Sequence, residues 1–181
     1  VTAPLAGVVV ITGIMASGKS TVAQALAERL PRAAHVRGDV FRRMIVSGGQ
    51  EYEPGASDEA AAQLHLRYGL SASTADAYAA AGFVAVVQDV ILGEELKSYV
   101  ELLRTRPVHV VVLAPRPDAV AAREAGRGKT GYGAWTVEDL DTGMRSTTPR
   151  LGLWLDSSDL TVDETVDAVL AGLDEARVQG R

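Results

Sequence analysis

Between positions 13 and 20 the chain reads Gly13-Ile14-Met15-Ala16-Ser17-Gly18-Lys19-Ser20. This spacing of glycine, glycine, lysine and serine constrains the fold more than any other stretch, because it demands a setting: a buried strand must deliver it and a helix must leave it. Both flanks comply. Val8-Val9-Val10-Ile11 is an apolar run of strand length. Thr21 to Leu30 follows, with Val22, Ala25, Leu26 and Leu30 at helical spacing. Gly13 and Gly18 carry no Cβ to block a backbone wrapped around an anion. Loop N–H groups and the helix N-terminus then offer partial positive charge. Lys19 is set to reach β- and γ-phosphates, and the Ser20 hydroxyl to ligate Mg²⁺. Gly13, Ile14, Met15, Ala16, Ser17, Gly18, Lys19, Ser20 and Thr21 are therefore expected to hold the phosphates of ATP.

The rest of the chain is consistent with one P-loop domain over residues 1–181. At 47% hydrophobic and 23% charged it has the balance of a globular domain. It contains no cysteine, which excludes disulfides, thiolate metal sites and cysteine nucleophiles. A net charge of −5 weighs against a generally basic nucleic-acid binder. No signal-type segment opens the chain and no apolar run approaches a membrane span, so the expected location is cytoplasmic, with no membrane partner.

Apolar runs alternate with helical patterns along the chain, as in a βαβ succession. Residues 33–37 read as a second strand, 40–46 as the start of a helix and 50–58 as a polar loop. Asp58 is the expected cap of an Ala-rich helix over 59–81, with Gly69 a point of interruption and Gly82 its end. Strands follow at 83–89, 108–113 and 151–155, with helices at 94–104, 118–124 and 162–177, the last capped at Thr161 or Asp163. The expected fold class is α/β: a P-loop NTPase with a five-stranded parallel sheet, helices on both faces and a small arginine-bearing lid over about 123–150. Ligands of such a sheet sit at the C-terminal strand ends, and the chemistry-bearing residues fall there.

Asp39 follows the second strand and is the expected base for an attacking hydroxyl. Arg42 lies one helical turn on and would hold the acceptor. Asp89 ends the third strand, as a metal-shell or acceptor-contacting carboxylate. Gln88 precedes it, so strand phase decides which of the two faces the metal. Arg123 and Arg127 are spaced to share a helix face ahead of the Gly-rich stretch 126–133, and are the expected lid arginines on the phosphates. Arg145 and Arg150 extend the same basic stretch. His65, Arg67 and Tyr68 are secondary candidates for the acceptor pocket. Trp135 and Trp154 read as structural, and Asp156-Ser157-Ser158-Asp159 as an adenine contact or a simple turn.

These residues resemble those of the P-loop small-molecule kinases, with the chloramphenicol phosphotransferases as the likeness closest to hand. The likeness is carried by Gly13–Ser20, by Asp39, by Val87-Gln88-Asp89-Val90-Ile91-Leu92-Gly93 and by Arg123-Glu124-Ala125-Gly126-Arg127-Gly128, in that order over roughly residues 8 to 130. It implies ATP- and Mg²⁺-dependent transfer to an alcohol of a small molecule, with Asp39 as base, Lys19 and Ser20 on phosphates and metal, and the lid arginines on the phosphates. The chain departs from that family at Gln88, where the family has an acidic residue. Other kinases remain open. The Asp39-x-x-Arg42 spacing is similar to that of phage-type polynucleotide 5′-hydroxyl kinase, and a zeta-toxin-like nucleotide-sugar kinase also carries an acid and a basic residue after its second strand. A nucleotide-binding module without acceptor chemistry is the non-enzyme alternative. No Asn-Lys-x-Asp segment for guanine recognition occurs.

Overall fold

The architecture comes from a computed structural model that describes residues 5–126 and 135–179. Its centre is β1 (Val8–Thr12), every residue of which is buried. Such an all-apolar strand needs cover on both faces, and its side chains alternate between two cores. Val8 and Val10 point into one cluster with Ile14, Val87, Val110, Leu96, Tyr99 and Met144. Val9 and Ile11 point into the other with Val22, Leu26, Val86, Val111 and Val166.

The sheet is built outward from β1. On one side lie β3 (Val84–Gln88) and then β2 (Ala33–Arg37); on the other lie β4 (Val108–Leu113) and then β5 (Leu153–Leu155). All four pairings are parallel, with Val10 opposite both Val87 and Val110. The expected five-stranded parallel sheet with helices on both faces is thus present. It gains a short sixth strand, β6 (Arg177–Val178), antiparallel to β4. Two residues are too few to show a sequence pattern.

The connecting helices are α1 (Lys19–Arg29), α2 (Gly38–Arg43), α3 (Asp58–Ala80), α4 (Glu95–Leu102), α5 (Pro117–Ala125), α6 (Val137–Thr147), α7 (Val162–Ala171) and α8 (Leu173–Ala176). Buried side chains of α1 and α7 feed the second core, and those of α3, α4, α5 and α6 feed the first. Local chemistry explains most boundaries and corrects some expectations. Ser57, not Asp58, caps α3: its side chain accepts from the Ala60 N–H. The helix runs unbroken through Gly69, because Tyr68, Ala72 and Ala75 around it are packed into the core. It stops before Gly82, whose φ of +83° is open to glycine. Thr161 forms a capping box with Glu164 at the start of α7. The closing helix breaks at Gly172, where a Cβ would lie 2.7 Å from Leu153 Cδ2. Within the expected lid region, α5 and α6 are formed; Arg127 and the stretch 127–134 lie outside the described residues. Among the described residues no helix is long and apolar enough to cross a membrane.

Candidate active site

The loop between β1 and α1 has the backbone that its glycines permit. Gly13 and Gly18 have φ of +148° and +96°, and Ala16 also adopts a positive φ of 60°. A Cβ on residue 13 would stand 2.5 Å from the Leu113 carbonyl oxygen and 2.7 Å from Ser17 Oγ, so only glycine fits there. Lys19 is almost fully buried and donates from Nζ to the Ile14 carbonyl at 2.7 Å, which holds its ammonium against the loop. Ser17 Oγ is buried with no hydrogen-bond partner. The concave loop, the held ammonium and the α1 N-terminus together suit a phosphate chain. Beside the loop, between α1 and β2, an open groove of about 410 Å³ runs past Ser20, Gln24, His35 and Arg37.

Strand phase is decided at the end of β3. The Ser20 hydroxyl donates to Gln88 Oε1 at 3.2 Å. Gln88, rather than Asp89, is therefore the side chain beside the expected metal-binding hydroxyl. Asp89 turns to the other face, as alternation along a strand requires. It is 3% exposed at the side chain and is gripped by Arg67 of α3, with Nε donating to Oδ2 at 2.7 Å and Nη2 donating to Oδ1. The Val90 N–H also donates to Asp89 Oδ1 at 2.7 Å. Burial works against the charge on Arg67, but hydrogen bonding and Coulomb attraction to Asp89 outweigh it and hold the guanidinium above its ordinary pKa. Among the described residues no cluster of three or more His, Asp or Glu side chains forms a metal site of its own. Magnesium would depend on Ser20, Gln88, bound phosphates and water.

Asp39 lies in the first turn of α2, next to Gly38. Parallel pairing sets Arg37 opposite Gln88, so Gly38 faces Asp89 across the strand ends. The approach is close: a Cβ on residue 38 would fall 1.9 Å from Asp89 Oδ2. Asp39 Oδ2 accepts from Arg43 Nη2, and Arg37 Nε stands 3.8 Å from Oδ1. Oδ1 itself is buried and accepts no hydrogen bond. Arg42 does not turn toward Asp39 or Asp89; its Nη1 donates to Glu51. The i, i+4 spacing of Asp39 and Arg43 was visible in the sequence and marks the pairing that forms.

Other candidates take structural positions. Arg123 Nη1 donates to the Ser17 carbonyl at 3.3 Å and Nη2 to the Ser157 carbonyl at 2.7 Å, which ties α5 to the phosphate loop and to the turn after β5. Arg145 pairs with Asp141 and donates to the Ala114 and Pro115 carbonyls. Arg150 stacks 4.0 Å over the Trp154 ring. Trp135 packs on the first core. Asp156 and Asp159 serve their own turn, accepting from Ser158 and from Arg116. His65 Nε2 lies 2.9 Å from Glu95 Oε1. The Tyr68 hydroxyl donates to the Val90 carbonyl at 2.8 Å, and burial, then the nearby Asp89 charge, raises its pKa. Thr12 was not singled out from the sequence. Its Oγ1 donates to the Ile91 carbonyl at 2.8 Å and accepts from the Ile91 N–H at 2.9 Å, joining the ends of β1 and β3.

The AAA_33 family, described as an AAA domain, matches residues 8–149, from β1 through α6. The chain belongs to this family. Solved structures similar to this AAA_33 protein include a sugar kinase from Janibacter sp. HTCC2649, at 20% identity and a TM-score of 0.69, covering 95% of this chain and 96% of that one. A gluconokinase from Sinorhizobium meliloti 1021 matches at 20% identity and a TM-score of 0.63, covering 95% and 94%. The tunicamycin resistance protein of Deinococcus radiodurans matches at 18% identity and a TM-score of 0.66, covering 97% and 100%. At these identities the likeness is one of fold. No curated protein sequence matches the AAA_33 chain.

Proposed function

We propose that this chain is an ATP-dependent phosphotransferase that moves the γ-phosphoryl group of ATP to a hydroxyl of a small molecule. The observation that carries this reading is Asp39 Oδ1: a buried carboxylate oxygen with no hydrogen-bond donor, after the strand end that lies next to Gln88 and so to the Ser20 hydroxyl of α1. A binding module has no use for such an oxygen, whereas an acceptor hydroxyl would satisfy it. In the reaction the acceptor oxygen bonds to the γ-phosphorus, the bridge to the β-phosphate breaks to leave ADP, and the hydroxyl proton passes to Asp39. Arg43 holds the other carboxylate oxygen and fixes its direction. Lys19 and the loop N–H groups bind the phosphates, with Arg123 bracing the loop and Arg127 the remaining lid candidate. Mg²⁺, when bound, neutralises charge on the transferring group; Ser20 and Gln88 would hold it or its water, with Asp89 acting through Arg67 toward the acceptor.

The resemblance to chloramphenicol phosphotransferases and the fold shared with a tunicamycin resistance protein favour an antibiotic or related metabolite as acceptor. ATP as the phosphoryl donor supports a cytoplasmic location. The end-kinase reading needs Arg42 to leave its exposed ion pair with Glu51. The test is Mg²⁺-dependent ADP formation across hydroxyl compounds, in the native chain and in Asp39→Asn. The substitution should lower acceptor-dependent turnover by about 10²- to 10⁴-fold while ATP still binds. Undiminished turnover in Asp39→Asn would remove Asp39 as base.

A further inference from the structure

We infer that Arg67, rather than Arg42, orients the acceptor, and that the acceptor is an uncharged hydroxyl compound. This rests on the phosphotransferase reading above and narrows its substrate class.

The geometry around Arg67 is that of a fixed donor. Its side chain is 16% exposed, and Nε and Nη2 are both spent on Asp89. Nη1 makes no hydrogen bond with the described residues, so one edge of the guanidinium remains to meet a ligand. Its base is rigid: neighbouring Tyr68 is bonded to the Val90 carbonyl, and Ser71 one turn on lies 2.8 Å from the Tyr99 hydroxyl. Asp89 is fixed in turn by the Val90 N–H and by its close approach to Gly38, the residue before Asp39. Arg67 is thus linked through Asp89 to Gly38, the chain neighbour of the proposed base, with Asp89 as its positioning residue. A guanidinium held by two hydrogen bonds to one carboxylate loses little freedom when Nη1 donates to a ligand oxygen.

Charge around the cleft argues for a neutral ligand. Each arginine there already has a carboxylate: Arg67 has Asp89, Arg42 has Glu51, and Arg37 and Arg43 share Asp39. An anionic acceptor would have to open the buried Arg67–Asp89 pair or lie against the carboxylates of the exposed ones, and both cost affinity. A hydroxyl or carbonyl oxygen needs only the open Nη1 edge. The chain beyond α2 adds exposed apolar surface at Met44, Val46 and Tyr52, suited to an uncharged body.

The experiment uses the full chain with Mg·ATP and acceptor probes that separate charge from shape: sorbitol against gluconate, which share a polyol skeleton, then a neutral phenylpropanoid antibiotic against APS and a 5′-hydroxyl oligonucleotide. Each responding probe is repeated with Arg67→Lys, which retains a charge for Asp89, and with the double variant Arg67→Gln/Asp89→Asn, which replaces the ion pair by neutral amides. Circular dichroism checks folding, and calorimetry measures Mg·ATP affinity. The expected result is turnover with uncharged probes, an acceptor KM raised about tenfold or more in both variants, a smaller change in kcat, and unchanged Mg·ATP affinity. Preference for gluconate, APS or the oligonucleotide would overturn the inference and leave the kinase reading standing. So would an unchanged acceptor KM in folded variants. Turnover with no probe, despite Mg·ATP binding, would defeat the kinase reading and this inference with it.

Discussion

His109 shows how a buried side chain can make the fold sensitive to acid. It is buried in β4 opposite Arg177 of β6, with Nδ1 unpartnered. Burial lowers its pKa below the ordinary 6.5; the backbone bond with Val8 opposes that, and Arg177 adds to it. His35 is lowered too, first by burial and then by Arg37. The unfolded chain takes up these protons before the folded one does. Their stabilisation is therefore complete above pH 6.5 and is lost as pH falls through the folded-state values. Thermal unfolding should show a lower Tm at about pH 5.5 than at about pH 7.5, with a shallower difference in His109→Leu. An equal slope in that variant would clear His109 of the effect. Gly38 is a second residue-scale case, since any Cβ there meets the Asp89 carboxylate. Gly38→Ala should abolish acceptor-dependent turnover and leave calorimetric Mg·ATP affinity intact. The sequence showed Asp39 and Lys19 because each belongs to a short motif. It did not show Arg67 gripping Asp89, because a contact 22 residues apart has no local spacing to betray it.

At the scale of elements, strands were the most legible, and for a plain reason. Val8–Thr12 and Val108–Leu113 are buried on both faces, so an unbroken apolar run is both their signature and their cause. Helix ends were harder. Asp58 and Ser57 are both cap formers, and only the side-chain geometry chooses Ser57. Gly69 looked like a break because intrinsic propensity disfavours it, yet packing of Tyr68 and Ala72 against the sheet overrides that local cost. A consequence can be measured. Nothing lies within 4 Å of a Cβ built on Gly69. Gly69→Ala should therefore raise stability by about 0.5–1 kcal/mol in urea unfolding, with acceptor kinetics unchanged. A loss of stability would mean that α3 is strained at that turn.

Across the whole molecule, the strand order sets β3 between β1 and β2, so the phosphate loop, Asp89 and the proposed base Asp39 follow three neighbouring strand ends. That order was not readable from the chain, because parallel pairing is settled by which apolar faces stack together rather than by neighbours in sequence. Thr12 is where the two sides meet, and a hidden hydroxyl there has a kinetic meaning. It is the last residue before the phosphate loop, fully buried, and it both gives to and takes from Ile91, two positions past Asp89. Thr12→Val would keep the volume but orphan both polar groups of Ile91, at about 1–3 kcal/mol. Because one hydroxyl splices two half-sites, the damage cannot stay on one side. Steady-state rates should report it as a parallel rise in the KM values for nucleotide and acceptor, and a rise in one alone would mean that the two substrates rest on separate floors.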